Sequence, residues 1–195
     1  MYVIREMEPG DRLAITRLWE KRQDWARTRG VDPICCAPLA YAVVVSALPL
    51  VFTCDAIVVA VAAVALTDPT TVGEPRGGGR TLDVVQLVTD PDTPMPADGS
   101  LSWIVTAWIS DLADTLGCDW LGMRVVPRRL AEHLQTKLAW ELESVAQQNG
   151  DTVHLLRRPA ERSDAIHALV HAASGTGEEH GLSRPELPHP VERTS

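Results

Sequence analysis

A single phenylalanine and two tyrosines stand among 195 residues, so six tryptophans carry most of the aromatic bulk. Basic charge is short as well: 18 Lys and Arg against 26 Asp and Glu leave a net charge of −8 and an isoelectric point of about 5.2. Phosphate-backbone binding needs clustered cations. Nucleic acid is therefore not an expected partner, and the acidic balance leans toward cationic partners such as amines. The four cysteines, Cys35, Cys36, Cys54 and Cys118, form no CxxC pair, and no histidine stands at zinc-finger spacing, so a metal site has little support. No Ser-His-Asp order stands out and no G-x-S-x-G elbow occurs. Gly77-Gly78-Gly79 lacks the Lys and Ser/Thr of a phosphate loop. The opening Met1-Tyr2-Val3-Ile4-Arg5-Glu6 is too mixed for a signal peptide. Reduced thiols and a cytoplasmic location are the expectation.

Charge is missing altogether between Ile34 and Cys54, and after Asp55 the apolar run resumes as Ile57–Leu66. A stretch of this length raises the question of a membrane span. Pro38 and Pro49 interrupt it, Asp55 lies near its middle, and Ala and Val dominate over Leu and Phe. It reads as a buried helix followed by two core strands, without stable membrane insertion. A small membrane-associated protein is the third and most distant functional reading.

What is present has a clear period. Tyr2–Met7 alternates like a strand, and Pro9-Gly10-Asp11 is a turn able to cap a helix. Over Asp11–Arg29, Ile15, Leu18, Trp19, Arg22, Trp25 and Ala26 share one helical face, and Gly30 is a stop. Pro38–Leu48 suits a helix, and Leu50–Thr53 and Ile57–Leu66 two strands around a tight turn at Cys54-Asp55. Asp68–Arg80 is a loop, Leu82–Thr89 a strand, and Asp90–Gly99 a second loop. Ile104, Val105, Trp108, Ile109, Leu112 and Leu116 make a continuous helical stripe, with Ser100 or Ser102 to cap it and Gly117 to end it. Asp119–Val126 is a strand, and Pro127 fits the first position of a helix lined by Leu130, Ala131, Leu134 and Leu138. Trp140–Ala146 and Thr152–Leu156 close the pattern around Asn149-Gly150. Ser163 caps a short helix carrying Ile166, Leu169 and Val170. The divisions are 1–160 for the main domain, 161–174 for the short helix and 175–195 for a disordered tail.

This order resembles the GNAT superfamily of acyl-CoA-dependent N-acetyltransferases. The likeness rests on Arg5-Glu6-Met7-Glu8-Pro9-Gly10-Asp11 before an amphipathic helix, on Trp25-Ala26-Arg27-Thr28-Arg29-Gly30-Val31-Asp32, and on Gly117-Cys118-Asp119-Trp120-Leu121. Ala131-x-x-Leu134-Gln135-x-Lys137-x-Ala139-Trp140 is similar to the family pattern A-x-x-L-Y-x-K-x-G-F. The resemblance implies an α/β fold: a mixed, mostly antiparallel central sheet of six to seven strands flanked by helices. It also implies acetyl-CoA as co-substrate and a small-molecule amine as acceptor, and it leaves a homodimer open.

The resemblance further implies which residues serve. The backbone of Leu87, Val88 and Thr89 would meet the pantetheine arm. The pyrophosphate would rest on amides at Asp98, Gly99, Ser100, Leu101 and Ser102, with Arg128 at the start of the next helix. The family loop reads Q/R-x-x-G-x-G/A, because glycine lets backbone curl onto phosphate. Here Met95, Asp98 and Ser100 occupy its matching positions, and Gly99 is one place out of register. Asp98 would set a carboxylate beside an anion, so Asp98-Gly99-Ser100 also reads simply as a helix cap. Gln135 takes the place of the Tyr that protonates the leaving thiolate, and an amide cannot titrate. His133, Asp83 and the loop acids Asp90 and Asp92 are the candidate general bases. Each has a plain structural alternative as a surface helix residue, strand-end cap or solvated loop. A catalytically weak or inactive binding module of the same fold is the alternative function.

Overall fold

The computed structural model describes residues 2–31, 47–67, 79–93 and 100–172. Among these residues, eight strands and four helices occur in the order β1 (Tyr2–Glu6), α1 (Arg12–Thr28), β2 (Leu48–Cys54), β3 (Ile57–Thr67), β4 (Thr81–Thr89), α2 (Leu101–Thr115), β5 (Trp120–Val125), α3 (Arg128–Leu138), β6 (Glu141–Gln148), β7 (Asp151–Pro159), α4 (Asp164–Leu169) and β8 (Val170–Ala172). A short 3-10 turn, Pro9–Asp11, leads into α1. All strands join one sheet in the order β6-β7-β5-β4-β3-β2-β1-β8. Only β4–β5 and β1–β8 are parallel, so the mixed, mostly antiparallel sheet expected from the sequence is present. The expected helix at Pro38–Leu48, the Asp68–Arg80 loop except its last two residues, and the tail from Gly175 lie outside the described residues. Leu48 itself opens β2.

Two hairpins follow from turn chemistry. Asp55 and Ala56 take φ of 50° and 66°, and Asn149 and Gly150 take 53° and 91°. Two successive positive φ values are the type I′ signature that matches strand twist. The first turn therefore sits at Asp55-Ala56, one residue later than the sequence suggested. Pro127 caps α3 from outside its first turn. The short C-terminal helix ends at Leu169, and Val170–Ala172 instead extends the sheet beside β1.

The helices divide between the two faces. On one, α2 and α3 bury Ile104, Val105, Ile109, Ala131, Leu134 and Leu138 against Leu50, Phe52, Leu82, Val84 and Leu121, with Ile166 of α4 beside them. On the other, Ile15 and Leu18 of α1 seat on Val51, Val61 and Val88. The hairpin β2–β3 spans the end of the uncharged run and the apolar stretch after Asp55, and residues 59–64 of β3 are buried. Among the described residues no helix is long and apolar enough to cross a membrane.

Ala139 ends α3 in the left-handed region at φ 54°. The family pattern has glycine at this place, and a Cβ there costs about 1–2 kcal/mol. Ala139→Gly should raise stability by about 0.5–1 kcal/mol in urea unfolding, because relief of strain outweighs the added chain entropy of glycine. A loss of stability would show that the Ala139 methyl makes contacts worth more than its strain.

Candidate active site

The β4–β5 pair sets the geometry. Pairing runs Thr81↔Trp120, Leu82↔Leu121, Asp83↔Gly122 and Val84↔Met123, then stops, although β4 continues to Thr89. On the other side, β3 pairs Val64 with Val84 but Ala63 with Gln86. Val85 is therefore an extra residue, a β-bulge. A bulge bends its strand and sharpens its twist. It also shifts the alternation of side chains: Leu82 and Val84 belong to the core under α2, whereas Val88 belongs to the core under α1. The two parallel strands thus separate like a fork above Val84. Among the described residues the β4–β5 ladder ends at Val84↔Met123, and Leu87, Val88 and Thr89 lie on the limb of β4 beyond it.

Two helix N-termini stand at the mouth of the fork. Helix α2 follows β4 and α3 follows β5, both on the same face of the sheet. The carboxyl ends of adjacent parallel strands form a natural ligand crevice. The Ser100 Oγ accepts from the Trp103 N–H at 3.2 Å, and Leu101 is buried, which fixes the start of α2. The first-turn amides of Leu101 and Ser102 precede the helical ladder, and with the helix dipole they favour an anion. Asp98, Gly99 and Met95 lie outside the described residues. At the start of α3, Arg128 is exposed and donates to Glu132 at 2.8 Å.

The three residues proposed for catalysis are not brought together. His133 faces solvent on α3. Gln135 is half-buried, and its Nε2 donates to the Ala131 carbonyl of its own helix at 3.1 Å. Asp83 lies below the fork, on the opposite face from Leu82 and Val84, and accepts from Thr67 Oγ1 at 2.5 Å. Its carboxylate occupies the space over Gly122, where any Cβ would collide with it and with the Thr81 methyl. The loop acids are engaged as well. Lys21 of α1 reaches Asp90 at 2.6 Å and Asp92 at 3.3 Å. Burial alone would push the Asp90 carboxyl up, but hydrogen bonds from Lys21 and the Asp92 N–H, with the Lys21 charge, hold it below the usual carboxylate range. A carboxylate so stabilised is a weak base.

No protein-family model and no curated protein matches the sequence. Solved structures do match the shape. The ribosomal-protein-S18-alanine N-acetyltransferase of Escherichia coli aligns over 85% of this chain and 97% of its own, with TM-score 0.57 and 13% identity. A GNAT-family acetyltransferase of Listeria monocytogenes aligns over 81% and 94%, with TM-score 0.59 and 13% identity. The yncA protein of Salmonella typhimurium, solved with its cofactor acetyl-CoA, aligns over 85% and 97% at TM-score 0.51 and 13% identity. The chain has the GNAT fold.

Within the GNAT fold, sequence reading missed one structural link, the Lys21 clamp. It ties α1 to the end of β4 and so fixes the free limb of the fork from the α1 side. The signal was present as Lys21 standing off the apolar stripe of α1, but its partners lie about seventy residues away in sequence, beyond the reach of local pattern.

Proposed function

We propose that this protein is an N-acetyltransferase that takes acetyl-CoA as co-substrate and a small-molecule amine as acceptor. The observation that carries the reading is the fork: a β4–β5 ladder that ends at Val84↔Met123 while β4 runs on to Thr89, beside the N-termini of α2 and α3. The residues present suit that co-substrate. An extended pantetheine arm carries amides that can pair with a free strand edge as another strand would. A pyrophosphate suits the Leu101 and Ser102 amides, with the Arg128 guanidinium as a nearby cation.

Acetyl-CoA supplies a thioester whose leaving thiol has an ordinary pKa of ~8.5. The free limb of β4 orients that thioester, and a backbone N–H on it polarises the carbonyl. The amine approaches from the α1 face. The amine nitrogen attacks the thioester carbonyl, and a nitrogen–carbon bond forms as the carbon–sulfur bond breaks. The electron pair leaves on sulfur, and the proton lost from nitrogen passes through solvent to the departing thiolate, giving the free thiol. Gln135 supplies no acid to the sulfur, and such help is worth about 10²–10⁴-fold. A slow enzyme is therefore expected.

Thermal unfolding tests the reading. Acetyl-CoA at a hundred times its Kd should stabilise by about 2.7 kcal/mol, or roughly 5–10 °C for a chain of this size. No shift at millimolar acetyl-CoA would sink the proposal. The second reading, a binding module without turnover, draws on the scattering of His133, Gln135 and Asp83. A clear shift with no acetyl transfer to any amine would select it.

A further inference from the structure

The sheet-facing stripe of α1 runs Ile15, Leu18, Arg22 and Ala26. Ile15 and Leu18 seat on Val88 and its neighbours, and Ala26 is again buried. Lys21 reaches Asp90 just past β4, so Arg22 occupies an inward position where α1 passes the open end of the fork. Its flanking cations have carboxylate partners: Lys21 holds Asp90 and Asp92, and Arg27 holds Asp24 at 2.7 Å. Among the described residues, Arg22 has none. Its guanidinium carbon instead lies 4.1 Å from the centre of the Trp25 ring. Arg29, which also has no carboxylate partner among the described residues, lies 5.0 Å from the same centre.

Two cations thus share one indole, with no counter-ion to either among the described residues. The ring offsets part of their mutual repulsion, and an anion would offset the rest. Burial pulls the Arg22 guanidinium below its usual value. The anion in question is not the pyrophosphate. Helices α2 and α3 present their N-termini on one face of the sheet, and α1 lies on the other.

We infer that the acceptor amine carries a carboxylate, as an amino acid does, and that Arg22, with Arg29 across Trp25, binds that group. The inference rests on the acetyl-transfer reading and deepens it. A planar guanidinium matches a carboxylate through two parallel hydrogen bonds, which also fixes the direction of the amine. In a chain of net charge −8, such a local cationic pair gives an anionic substrate a foothold that the remaining surface denies it.

The test compares leucine, phenylalanine and glutamine, each against its carboxamide, in acetyl-CoA-dependent acetylation by the intact protein. Dividing the acid-to-amide ratio of kcat/KM for wild type by that for a variant cancels the differing basicity of the amines. Arg22→Met should lower that ratio about 10–100-fold, mainly through KM. Arg22→Lys should keep part of it, and Arg29→Gln should lower it less. Titration calorimetry with N-acetyl-leucine, N-acetyl-phenylalanine and N-acetyl-glutamine gives a readout independent of turnover. Wild type should bind at least one of them, and Arg22→Met should lose that binding while unfolding at a wild-type temperature. If Arg22→Met does not fold, Arg22→Lys and Arg29→Gln carry the comparison. An unchanged acid-to-amide ratio, or failure of wild type to bind any of the three, overturns the inference even where acetyl-CoA binds. Absence of an acetyl-CoA thermal shift overturns the transferase reading instead.

Discussion

Phe52→Ala should lower stability by about 3–5 kcal/mol, the largest effect expected of a single truncation here. Phe52 is the only phenylalanine in the chain and is 1% exposed. It stands on β2, an inner strand held between β1 and β3, with its ring edge-on to Trp108 of α2 at 5.7 Å and 86°. Removing it deletes the buried ring, leaves a cavity in a strand fixed on both sides, and breaks an aromatic pair worth about 0.5–1.5 kcal/mol beyond its area. Phe52→Leu should recover most of the loss. The same contact holds α2 on the sheet, so under the proposed function the truncation should also reduce the stabilisation expected from acetyl-CoA. Urea unfolding with and without the cofactor measures both. A loss under about 1 kcal/mol would mean that the core closes over the site and that α2 is seated by other contacts.

The elements legible in the sequence were those with one clean period. The stripe Ile104, Val105, Trp108, Ile109, Leu112 and Leu116 gave α2, and of the two serines considered for its cap Ser100 is the one that serves; the burial of Thr106, Ser110 and Asp111 off that stripe was not legible. The fork was legible only through the family resemblance. Its physical cause is the Val85 bulge, and Val84, Val85, Leu87 and Val88 are apolar on both sides of it. A run buried on two faces carries no parity, so an inserted residue leaves no mark. The same holds for Gly122, whose need for no side chain comes from Asp83 on the neighbouring strand. Asp90 and Asp92 read as free loop acids until α1 brought Lys21 to them. Trp140 replaces the phenylalanine of the family pattern and is buried, yet its indole N–H meets no acceptor among the described residues. A pattern match fixed its position without its hydrogen-bonding cost. The letters of the cofactor loop were readable, but Asp98 and Gly99 fall outside the described residues, so their departure from the family pattern bears on affinity through the sequence alone.

The second large effect lies at the junction of β1 and α1, and its sign with pH can be fixed in advance. Asp11 is 8% exposed, and both of its oxygens are held by Arg5 at 2.7 Å. The Glu8 N–H donates to the same carboxylate, also at 2.7 Å. The sequence suggested a cap for α1 here, but the side chain turns back to β1 and ties strand to helix. Hydrogen bonds from Arg5 hold the Asp11 carboxyl below its usual range, with the Glu8 N–H and the Arg5 charge, against burial, which alone would raise it. A depressed carboxyl pKa means that the pair stabilises fully above the unfolded value of ~3.9 and that this stability is lost as pH falls through the folded value. Asp11→Ala strands a half-buried guanidinium and should cost about 3 kcal/mol at pH 7. The gap to wild type should narrow steadily below about pH 4, because wild type itself then loses the pair. Asp11→Asn, which keeps the shape and one acceptor, should show a smaller gap with the same pH trend. Because the carboxylate is shielded, added salt should change the gap little. A gap constant from pH 7 to pH 2 would show that packing of the β1–α1 turn, and not the ion pair, is what Asp11 contributes. The position of α1 over the fork would then rest on the Ile15 and Leu18 contacts and the Lys21 clamp, without the Asp11 pair.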